Sequence, residues 1–126
     1  MGLNENRKIQ ELKDKILPDR SKEIEEICGK AISYEVEWDT FDTFDALNFL
    51  DNISCHRLNM ALRSICNDEM GKQAVRDGLK LIKLRNSKDN KVELSLSNGV
   101  LEMTNDYVQK SYSSDNAICA FLMEKL

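Results

Sequence analysis

A chain of 126 residues, 41% hydrophobic and 32% charged, is long enough to bury one ordinary core and too short for two, which argues against a disordered, fibrous or multidomain protein. No apolar run approaches the roughly 18 to 20 residues that a membrane span needs, and the amino-terminal MGLNENRKIQ has no apolar signal-peptide core, so a cytoplasmic protein that meets no membrane is expected. The net charge of −4 has its whole surplus in residues 31–56, where Glu35, Glu37, Asp39, Asp42, Asp45 and Asp51 occur with no Lys or Arg. That placement argues against nucleic acid as a partner and for another protein with a basic surface.

In chain order, residues 6–17 place Ile9, Leu12 and Ile16 on one helical face, and Pro18 is expected to end the helix because its ring disfavours helix in the residue before it. A second short helix, Ser21 to Cys28, sets Ile24, Ile27 and Cys28 on one side and is capped by Gly29. From Ala31 to Trp38 the period changes to two: Ile32, Tyr34, Val36 and Trp38 alternate with Ser33, Glu35 and Glu37, the pattern of an antiparallel strand with one wet, acidic face. Asp39, Asp42 and Asp45 then suit the positive end of the next helix, where carboxylates cap free amides.

That helix, Thr43 to Cys66, is the longest helical pattern without Gly or Pro. Wound at about 100° per residue, it lines up Leu50, Ala61, Leu47, Ile65 and Leu58, flanked by Ala46, Ile53, Met60 and Phe49 on one side and Leu62 and Phe44 on the other. The stripe left over is Asp45, Asn48, Asn52, His56, Asn59 and Arg63. A solvated helix face is one reading of this stripe; because Asn is a poor helix former and exposed faces favour Lys, Glu and Gln, a polar interface is the other. Arg57 falls within the apolar arc, where an ion pair with a carboxylate is expected.

Asp68 to Asp77 forms a short helix closed by Gly78, and Leu79 to Arg85 a strand. Lys91 to Ser97 and Val100 to Asn105 flank Asn98-Gly99, a strong two-residue hairpin signal that pairs Leu96 with Leu101, Leu94 with Met103, Ser95 with Glu102 and Glu93 with Thr104. Ser113 or Ser114 caps a last helix that buries Ile118, Phe121 and Leu122. The expected fold is a single α+β domain over residues 1–126, with residues 1–5 frayed, in the order helix, helix, strand, long helix, short helix, three-stranded antiparallel meander, helix.

Four scattered cysteines, Cys28, Cys55, Cys66 and Cys119, form no close pair and have one His for company, so free thiols are expected, with neither disulfide nor zinc. His56 and Cys55 lie about 100° apart on the helix and cannot act as base and nucleophile. Asp39 to Phe44, DTFDTF, resembles the aspartate loop of haloacid-dehalogenase-type phosphatases; the resemblance implies Asp39 as nucleophile and Thr43 as a contact of the phosphoryl group. That fold requires a nearly all-apolar parallel strand ahead of the motif, whereas ISYEVEW alternates, and a core of about 150 to 200 residues.

No catalytic residue, metal ligand or cofactor is therefore assigned. The expected function is a small acidic binding module that docks on a basic protein surface, as an inhibitor, immunity protein or chaperone does, through Glu35, Glu37, Asp39, Asp42, Asp45, Asn48, Asn52, His56, Asn59 and Arg63. The alternative is a metal-dependent hydrolase built on Asp39 and Asp42.

Overall fold

A computed structural model describes residues 2–126. Four continuous helices and four strands follow one another as α1 (residues 3–28), β1 (Ser33–Val36), α2 (residues 44–65), α3 (Glu69–Gly78), β2 (Leu81–Asn86), β3 (Glu93–Ser97), β4 (Val100–Asn105) and α4 (Asp115–Lys125). The domain is α+β, as expected.

Pro18 does not end the first helix. The Leu17 amide reaches back five residues to the Leu12 carbonyl, and this widened turn takes up the space that the proline ring would otherwise contest with the carbonyl four residues earlier. The two predicted helices are thus one, running from Leu3 to the positive-φ cap at Gly29. A second widened turn interrupts α2, where the His56 amide bonds the Asp51 carbonyl. One extra residue is absorbed there, so everything beyond Cys55 lags the straight wheel by about 100°. Met60 rotates outward and Asn59 inward: they are 43% and 1% exposed. Leu50, ahead of the widened turn, stays in the core as its place on the arc requires, and Ala61, beyond it, stays there too because the apolar arc is wide enough to absorb the shift. The residue capping α2 is Thr43, whose hydroxyl accepts from the Ala46 amide, rather than any of the neighbouring aspartates.

The sheet order is β1-β2-β4-β3, with β1 parallel to β2, β2 parallel to β4, and only the β3–β4 hairpin antiparallel. The expected meander is corrected accordingly: β2 does not touch β3 but adds to the far side of β4. The antiparallel direction expected for β1 is corrected too, since α2 and α3 supply the long crossover that a parallel neighbour needs. The alternation in β1 is real and has another cause. Helices cover one face of the sheet only, so Ile82, Leu84, Leu101 and Met103 are buried on that side while Glu35, Arg85, Glu102 and Ser95 stand in water on the other. The hairpin has the expected register, and Asn98 and Gly99 both have positive φ, 54° and 80°. The Ser114 hydroxyl caps α4. Among the described residues no helix is long and apolar enough to cross a membrane.

Candidate protein interface

The parallel pairing of β1 with β2 changes the electrostatics of the acidic stretch. It sets Lys83 beside Glu35 in register, and Arg85 grips Glu37 through two guanidinium nitrogens. The Arg85 guanidinium holds the Glu37 carboxyl below its ordinary range. Asp42 lies 3.9 Å from the Lys88 ammonium. Asp51 takes a two-point contact from Arg20, at 2.8 and 3.0 Å. Bases that are distant in sequence therefore neutralise half of the acidic run. Glu35, Asp39 and Asp45 remain exposed and without an ion pair among the described residues.

The polar stripe divides at the widened turn of α2. Asp45, Asn48 and Asn52 share an exposed face, and His56 is half-buried. Asn59 does not belong to any surface: its side chain accepts from the Tyr34 hydroxyl at 2.7 Å and donates to the Glu23 carboxylate at 2.6 Å and to the Arg20 carbonyl at 3.2 Å. Arg63 is exposed but leans on Glu23 at 3.4 Å. The partner-binding role expected of Asn59 is therefore corrected to an internal one, joining α1, α2 and β1. Burial of Glu23 works to raise its pKa, but the Asn59 and Arg20 bonds outweigh it and the carboxyl ends below its ordinary range. Arg20, Glu23 and Tyr34 escaped the sequence reading because their partners lie 25 to 39 residues away.

Arg57 finds no carboxylate. Its guanidinium stacks on Tyr112, 4.4 Å from the ring centre, and its buried Nε has no hydrogen-bond partner among the described residues. A cation over an aromatic face replaces the expected ion pair.

For chemistry, Cys28, Cys55 and Cys66 are buried free thiols, and burial pushes all three thiol pKa values up, which suppresses the reactive thiolate. Among the described residues no three His, Cys, Asp or Glu side chains converge as a metal site would require, at Asp39 and Asp42 or elsewhere. In DTFDTF the preceding strand is parallel after all, but Thr43 is occupied as a helix cap and Asp39 is exposed beside an edge strand. The carboxyl ends of parallel strands commonly carry ligand sites. Here they are occupied by their own loops: Asn86 bonds Thr40 and the Tyr107 amide, and Asp106 holds the Asn90 and Gln109 amides. No protein family, curated protein or solved structure matches the chain.

Proposed function

We propose that the chain is a small non-catalytic binding module of the cytoplasm that docks on a basic protein surface, in the manner of an inhibitor, immunity protein or chaperone. The observation that carries this reading is the set of carboxylates left over once the fold has paired the rest: Glu35, Asp39 and Asp45, all exposed and none held in an ion pair among the described residues. Unpaired surface charge of one sign speeds encounter and selects the partner more than it adds affinity. Asn48 and Asn52, exposed on the same side of α2 as Asp45, offer both donors and acceptors to such a partner. Capture from a native cell extract tests the reading, with the Glu35→Gln, Asp39→Asn, Asp45→Asn chain alongside. The expected result is a basic protein retained at low salt, released at high salt and lost from the variant. Equal retention by both chains contradicts it.

A further inference from the structure

The sheet has an open edge at β1, and that edge borders a groove of about 720 Å³ between the strand and α1. The Glu37 amide donates to the Leu84 carbonyl at 2.9 Å. In a parallel ladder alternate residues turn to the neighbour, so the amides and carbonyls of Glu35 and Glu37 serve β2 while those of Tyr34 and Val36 point the other way. Neither Tyr34 nor Val36 has a backbone hydrogen bond to any other described residue. They face the groove, which is lined on its helix side by Leu17 and Pro18 and also by Trp38.

We infer that this groove receives an extended segment of another protein as a fifth strand, one in which basic and apolar side chains alternate. This rests on the reading of a basic partner and deepens it. Free amides and carbonyls at strand spacing call for an extended backbone, since a helix has none to offer along its side. The charges select the side chains. Across the wet face of the sheet, Ser95, Glu102, Lys83 and Glu35 stand in one register row. The row reads neutral, negative, positive, negative: Lys83 is shared between Glu102 and Glu35, and Glu35 has no neighbour on its outer side, so the next strand gains from a Lys or Arg at that position. Its alternate residues turn inward and meet Leu17, Pro18 and Trp38, which suit apolar side chains. On the helix rim Lys13 and Lys22 outnumber Glu25, with Lys13 engaged 5.3 Å over the Trp38 ring, so the preference for a basic side chain comes from the strand side of the groove, at Glu35. A second copy of the chain fits poorly. Two β1 strands side by side would bring Glu35 and Glu37 of each against those of the other, and like charges at facing positions are destabilising.

The test uses the full chain labelled with nitrogen-15 and three blocked octapeptides: alternating Lys-Val, the same peptide methylated on every backbone nitrogen, and alternating Glu-Val. The Lys-Val peptide is expected to shift the amide signals of Ser33 to Trp38 and to slow exchange of the Tyr34 and Val36 amides by about tenfold or more. The methylated peptide, with equal charge and no backbone donors, should bind at least about tenfold more weakly. If both bind alike, the fifth-strand assignment is overturned while a basic partner still stands. If Glu-Val binds as well as Lys-Val, the edge accepts a strand but the basic assignment falls. If no peptide moves any signal, both fall. Protection of Tyr34 and Val36 that grows with protein concentration in the absence of peptide would assign the edge to a second copy and overturn the proposal.

Discussion

The Tyr34 hydroxyl on β1 donates to the Asn59 side chain on α2 at 2.7 Å, and through Asn59 the strand is joined to Glu23 and Arg20 on α1. A buried amide that satisfies a phenol, a carboxylate and a main-chain carbonyl leaves several orphans when it is removed. Asn59→Ala is therefore expected to cost about 2 to 4 kcal/mol of stability, combining lost bonds to a charged group with unmet buried donors. Asn52→Ala, on the exposed face, should stay within about 0.5 kcal/mol. Urea denaturation of the two variants checks the contrast, and equal losses would return Asn59 to the surface.

Acid should loosen the same junction. The Glu23 carboxyl titrates below its ordinary value of 4.5 in the folded chain, so the unfolded chain takes up this proton first. Its stabilising effect is present above that value and disappears as pH falls through the lower, folded one. Glu23→Gln should flatten this part of the acid limb. Glu37 is shifted in the same direction by Arg85, but that pair is exposed and its contribution should fade in high salt while that of Glu23 persists. Unfolding curves between about pH 3 and 7, at two salt concentrations, separate the two carboxylates.

Gly99 has φ near 80°, and a Cβ placed there would sit 2.9 Å from the Lys80 side chain. Gly99→Val is expected to cost about 1 to 3 kcal/mol, since a β-branched residue resists positive φ and must also displace that lysine. A thermal melt that moves no more than for an ordinary surface change would show that the turn has another geometry.

All four cysteines should be thiols, with Cys119 the first to react because the other three are buried. Alkylation of the native chain, then of the denatured non-reduced chain, should label Cys119 and then all four. Loss of two sites on denaturation would mean that Cys28 and Cys66, which lie sulfur to sulfur, have oxidised to a disulfide.

Local signals in the sequence located most elements and the hairpin register, because the Asn98-Gly99 turn and the alternation of its flanking strands lie within a few residues of each other. Strand direction was not legible. Alternation in β1 reports that one face is wet, and a parallel strand covered by helices on one side alternates just as an antiparallel one does. The wheel of α2 failed beyond Cys55 because a single absorbed residue at Asp51–Cys55 turns Asn59 inward, and no residue type in that turn announces it. The acidic surface was legible as a list of charges and not as a surface. Arg85 and Lys88 cancel part of it only because β2 lies beside β1, about 50 residues later in the chain.

The charge that the fold leaves outside ion pairs at Glu35, Asp39 and Asp45 is what the proposed function rests on, and the rate of encounter with the captured partner tests it most directly. Association should be measured by stopped flow at low and high salt for the native chain and for the Glu35→Gln, Asp39→Asn, Asp45→Asn variant. The expected result is a rate at low salt about tenfold lower for the variant, with a flatter salt dependence and an unchanged unfolding midpoint. Equal rates at low salt would contradict the account and leave these carboxylates as ordinary solvated groups.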